Sequence, residues 1–167
     1  MYKIKEATSG VTPRFIEQLE FEKFLVRFQI EEVDGVFEYL EFETNDVSLK
    51  TIHDVITNHY NSLCDKEILN GLSYQGSPVW LSDENQRNYS TAYILTFIAM
   101  TLGQELDFPV FKLGTDIEPV YITFEDFIEF STFINLCFSH IKTTLNKYWE
   151  IKNNINIHNY TLNNEVA

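Results

Sequence analysis

Tyr74-Gln75-Gly76-Ser77-Pro78-Val79-Trp80-Leu81-Ser82-Asp83 is the stretch whose reading decides the fold. Gly76 supplies the positive φ that a tight hairpin turn needs, and short apolar runs flank it. Ser82 or Asp83 then has the oxygen that caps the free amides of a following helix. The stretch therefore predicts a hairpin that feeds directly into a helix. Upstream, Leu49, Ile52, Val55, Ile56, Tyr60 and Leu63 recur at helical spacing, from a start near Asp46 or Ser48 to Asn70. Gly71 suits a left-handed C-terminal position for that helix. Downstream, Tyr89, Ala92, Tyr93, Thr96, Phe97, Met100 and Leu102 mark the inner side of the second helix, which ends between Gly103 and Pro109. A further hairpin spans Val110 to Ile122 around Gly114. Thr123 opens a third helix, with Asp126 three residues on. That helix is long. Phe127, Phe130, Ile134, Cys137, Ile141, Leu145, Tyr148, Lys152 and Ile155 line one side of it, and its first half is apolar nearly all round.

Toward the N-terminus, Phe24 to Ile30 and Val36 to Phe42 read as strands joined by Asp34-Gly35, the strongest short hairpin signal. Residues 1–22 carry no clear pattern. The fold class is α+β: three helices with interspersed β-hairpins, the C-terminal helix long, and an N-terminal hairpin lobe. The expected organisation is a hairpin region over 1–45, a helix-hairpin-helix-hairpin-helix domain over 46–157 and an extended tail over 158–167, on which Tyr160 and Leu162 are anchors.

The net charge of −13, with only 12 Lys and Arg and no basic stripe, argues against direct binding to nucleic acid and to anionic lipid. No run of 18 apolar residues exists, so no membrane span is expected. Cys64 and Cys137 both fall at apolar helical positions and read as buried thiols. Chemistry has little to build on. His53 and His59 are six apart, wrong for one helix face, and no Cys-x-x-Cys occurs. Glu125, Asp126 and Glu129 sit where the helix dipole favours carboxylates. Ser77 and Ser82 lack a nucleophile-elbow context, and no two glycines form a phosphate loop. The chain is read as non-enzymatic, with no catalytic residue, no metal ligand and no cofactor.

Aromatic residues are the remaining candidates: 14 Phe, 9 Tyr and 2 Trp exceed what a chain of 167 residues readily encloses. The first and third hairpins and the long helix are the expected interface elements, and Phe24, Phe28, Phe37 and Tyr39, with Tyr148 and Tyr160 behind them, are the expected partner-facing residues. Tyr74, Gly76, Trp80, Gly114 and Trp149 are given structural roles. Trp80 is expected to pin its hairpin to the helices and Trp149 to pack at the end of the bundle. The other reading of Trp80, Tyr74 and Trp149 is a surface for a sugar or a peptide.

Residues 51–152 resemble a domain of unassigned function found in tail proteins of tailed bacteriophages, including phages and prophages of Bacteroidetes. The residues that carry the resemblance begin with Asn70-Gly71-Leu72-Ser73-Tyr74-Gln75-Gly76 and Val79-Trp80-Leu81-Ser82, with Gln86 and Asn88. They continue with Pro109 to Gly114, then His140-Ile141, Trp149 and Lys152. Residues 1–45 lie outside it. The resemblance implies a virion-associated module, a tail or tail-appendage component made in the bacterial host cytoplasm. It also implies partners among other virion proteins, in a homo- or hetero-oligomer. A tail-fibre assembly chaperone and an early host-directed factor or enzyme are the alternatives. The family has no catalytic residues to carry over.

Overall fold

The structure, a computed structural model, describes residues 2–161. Strands β1 (Lys5–Ser9), β2 (Ile16–Glu20), β3 (Lys23–Val33) and β4 (Val36–Thr44) come first, then helix α1 (Leu49–Asn70). Hairpin β5 (Leu72–Tyr74) and β6 (Ser77–Val79) leads into α2 (Asp83–Thr101). Hairpin β7 (Phe111–Gly114) and β8 (Pro119–Ile122) leads into α3 (Phe127–Asn153), and a 3-10 turn over Ile157–Tyr160 follows. The predicted class and order hold: three helices, the last one long, separated by antiparallel hairpins.

The chain divides into two compact units, one of residues 1–60 with 152–167 and one of residues 61–151. The division falls inside α1 rather than between the sheet and the helix, so the expected boundary at residue 45 is displaced. The reason is in the first unit's core. Phe28 meets the rings of Phe42, His59 and Tyr60 edge-on, and the Tyr60 hydroxyl lies 3.2 Å from Gln29 Oε1. The first half of α1 therefore belongs to the sheet.

That sheet has four antiparallel strands in the order β1-β4-β3-β2. The predicted hairpin forms its centre, turning through Asp34 and Gly35 at φ 52° and 80°. The two outer strands come from the region that has no clear pattern. Their sequences, Lys5-Glu6-Ala7-Thr8-Ser9 and Ile16-Glu17-Gln18-Leu19-Glu20, are short and mostly polar, and only pairing to the central hairpin makes them strands. Both edges of the first hairpin are consequently paired, by β1 and by β2. One sheet face buries Val26, Phe28 and Phe42. On the other, Arg27 reaches Glu17 at 2.6 Å and Glu41 at 3.5 Å, and its guanidinium stands 5.5 Å from the Tyr39 ring centre. Between Phe28 and Glu31 the register slips, and Gln29 takes a positive φ of 52° at the bulge.

The second unit has its own core, built by Leu72, Val79 and Leu81 of the short hairpin, Tyr89 of α2, Phe111, Leu113 and Ile122 of the next hairpin, and Phe130, Phe133, Ile134 and Cys137 of α3. Tyr74 packs edge-on to Phe133, with ring centres 5.0 Å apart. Gln75 and Gly76, at φ 49° and 81°, make the predicted turn. Ser82 caps α2, its hydroxyl accepting from the Asn85 amide at 3.2 Å. The cap of α3 is Asp126, not Thr123: Asp126 accepts from the Glu129 amide and Glu129 reaches back to the Glu125 amide, both at 2.8 Å. This is a reciprocal box shifted one turn from the expected one.

Candidate functional site

The residues expected to face a partner fall mainly inside the chain. Phe28, Tyr39, Tyr148 and Tyr160 are buried, and Phe24 and Phe37 are partly covered. Each buried ring has an internal partner. Phe28 joins the sheet core, Tyr39 lies under Arg27, and Tyr160 packs edge-on to Phe15 at 5.4 Å. The Tyr148 hydroxyl donates to Glu67 Oε2 at 2.9 Å. These positions are corrected to core positions. The 3-10 turn over Ile157–Tyr160 likewise replaces extended chain at the start of the expected tail, 158–160. The expected anchor Leu162 lies outside the described residues.

Glu67 organises the joint between α1 and α3 in the second unit. Its carboxylate also accepts from Lys147 Nζ at 2.6 Å, and its carbonyl accepts from the Gly71 amide at 2.8 Å and lies 3.0 Å from His140 Nε2. The Lys147 ammonium holds the Glu67 carboxyl below the usual carboxylate range. Gly71 does not take the left-handed conformation expected of it. It is required for space instead: a Cβ there would stand 2.5 Å from the Glu67 carbonyl oxygen and 3.0 Å from His140 Cε1. The arrangement accounts for His140 as a carbonyl-bonded histidine with a structural task.

Among the titratable groups, burial pushes the Cys137 thiol up to about 12 and the Tyr89 hydroxyl to about 12, so both stay protonated at neutral pH. Burial lowers the His59 imidazole. Among the described residues no group of His, Cys, Asp and Glu converges as a metal site, and no helix is long and apolar enough to cross a membrane.

The exposed apolar surface lies elsewhere, on α2. As far as Thr96 it does what the spacing predicts: Tyr89 and Thr96 are buried and Tyr93 packs against the core. Beyond Thr96 it does not. Phe97, Met100 and Leu102, expected inside, are substantially exposed, and Ile94, Leu95 and Ile98 lie on the outer side with them. Ile94, Leu95, Ile98 and Leu102 follow one another at helical spacing and form a single stripe. Leu95 is 62% and Leu102 66% exposed. No charged side chain occurs from Asn88 to Gln104. Ile128 on α3 is exposed as well, and the Phe97 and Phe127 rings lie 6.3 Å apart. The sequence carries this signal in plain view, since α2 is apolar on both sides. Periodicity alone cannot tell which side the core takes.

Both tryptophans are also exposed. Trp149 is 52% exposed, and Trp80, 50% exposed, lines a cleft. Comparison of the chain with protein families, with curated proteins and with solved structures finds no match.

Proposed function

We propose that this chain is a non-enzymatic interaction protein, a tail or tail-appendage component of a tailed-phage virion, which works by packing against other subunits. The phage setting rests on the resemblance of residues 51–152. The interaction role rests on one observation, the charge-free outer stripe of α2. A helix that is apolar all round is ordinarily covered on both sides. Here the core covers one side only, and the other carries four large aliphatic residues.

A second copy of this chain is the first occupant to consider. At net charge −13, two copies repel each other over most of their surfaces. A stripe without charge is where that repulsion is least and apolar burial is greatest. Pairing about a two-fold axis would set the stripe against itself, the commonest closed arrangement of identical subunits. Within an assembled tail the same surface would be buried permanently, as suits obligate interfaces, which are more apolar than transient ones.

The composition of purified particles tests the reading. The chain is expected at a whole multiple of the tail symmetry, and Leu95→Glu with Ile98→Glu is expected to abolish incorporation. Particles that lack the chain while requiring its gene for assembly would transfer the role to an assembly factor.

A further inference from the structure

We infer that the cleft beside Trp80 is a binding site for a neutral saccharide, a function separate from the packing role of α2. The cleft holds about 600 Å³, within the range of small-molecule sites, and lies in the second unit. Two chain segments, with Asn70 at the end of α1, shape it. On one side, β6 ends at Val79 and the chain runs extended through Trp80 to the cap of α2. On the other is the turn between β7 and β8.

The position of Trp80 is held by its backbone. Asn85 Nδ2 donates to the Trp80 carbonyl at 2.7 Å, and the Leu81 amide donates to the Leu69 carbonyl at 3.2 Å. These bonds fix the backbone from which the indole projects, and half of the residue is open to solvent. Across from it, Gly114 at φ 80° starts a turn in which the Thr115 amide donates to the Glu118 carbonyl and the Glu118 amide donates to the Thr115 hydroxyl. A Cβ at Gly114 would collide with the Glu118 carbonyl oxygen, so this wall keeps its shape only with glycine.

The polar groups around the indole are mixed in kind. Asn70, Asn85 and Thr115 offer both donors and acceptors. Lys112 and Asp116 are joined at 2.7 Å, which leaves the rim without net charge although the chain is strongly acidic. An anion finds no free cation there, and a cation finds no free carboxylate. The ligand that fits is uncharged, bears many hydroxyl groups that both donate and accept, and has one face of C–H groups. The negative face of an indole attracts such C–H groups. A pyranose ring meets each requirement.

The two tryptophans make the test direct. Trp149→Phe, at an exposed position, leaves Trp80 as the sole indole reporter. Its emission is titrated with maltotriose, cellotriose, mannotriose and chitotriose, and with trigalacturonic acid as the anionic counterpart. We expect a saturable change with at least one neutral trisaccharide. By isothermal calorimetry we expect at least tenfold weaker binding in Trp80→Ala. Lys112→Ala, at an exposed strand position, is expected to weaken binding as well, and it carries the comparison if Trp80→Ala does not fold. No response to any neutral member, preference for the acidic trisaccharide, or undiminished affinity in these variants would overturn the assignment. None of these results depends on whether α2 forms an interface.

Discussion

Glu67 shows how much one side chain does in this chain. Its carboxylate takes two hydrogen bonds, from Lys147 and from Tyr148, and ties α1 to α3. Its folded pKa is held down, chiefly by the Lys147 hydrogen bond. A depressed carboxyl contributes stability above its unfolded pKa of about 4.3, and that contribution disappears as pH falls through the lower folded value. Glu67→Gln is therefore expected to lower stability at pH 7 by about 1 kcal/mol, a small figure because the side chain is one-third exposed. Urea unfolding at pH 7 and at pH 3 checks this: the gap between wild type and variant should narrow at the lower pH. At the same scale, Gly71 marks a limit of sequence reading. A glycine after a helix is ordinarily read as a left-handed terminator, but its task here is to admit the carbonyl of Glu67 and the ring of His140. The carbonyl stands four residues back in α1, but the ring belongs to α3, more than sixty residues away in the chain, and no local pattern announces it.

The elements with strong local signals were legible: Asp34-Gly35 and Gln75-Gly76 turn where positive φ is tolerated, Ser82 caps α2, and the apolar stripe of α3 runs as spaced. Elements that depend on partners were not. Strands β1 and β2 are short and polar, and they exist because β4 and β3 offer unpaired edges. The cap of α3 was displaced by one turn because Thr123 and Asp126 both precede apolar periodic residues. Only the reciprocal bonds of Glu125, Asp126 and Glu129 decide between them. Asp126→Ala should accordingly destabilise the fold by about 1 kcal/mol, whereas Thr123→Ala should leave it unchanged in thermal or urea denaturation. In helix α2 the periodicity is real but its direction is ambiguous. Tyr89, Tyr93 and Thr96 were placed on the correct side, but Phe97, Met100 and Leu102 were carried along with them. An apolar helix has no polar face to mark the outside, so the sequence held the candidate surface without indicating its direction.

On the scale of the whole molecule, the surplus of aromatic rings reaches the surface only in part, at Tyr2, Phe21, Trp80, Phe97, Tyr121, Phe138 and Trp149. Most of the rings are consumed by two cores, one in each unit, and the exposed apolar surface of α2 is largely aliphatic. The proposed role is unchanged, but its main surface moves from the first hairpin to α2, while the third hairpin and the long helix keep exposed apolar residues at Val110, Ile117, Tyr121 and Ile128. The two proposed surfaces also differ in kind. The α2 stripe is charge-free and suits permanent burial, whereas the Trp80 cleft is polar, open and suited to a small ligand. Sedimentation velocity of the purified chain over a wide concentration range tests the central claim most directly. Self-association that grows with concentration is expected, lost in the Leu95→Glu, Ile98→Glu variant, with helix content unchanged because both positions are exposed. A wild-type chain that sediments as a monomer throughout, indistinguishable from that variant, would contradict it.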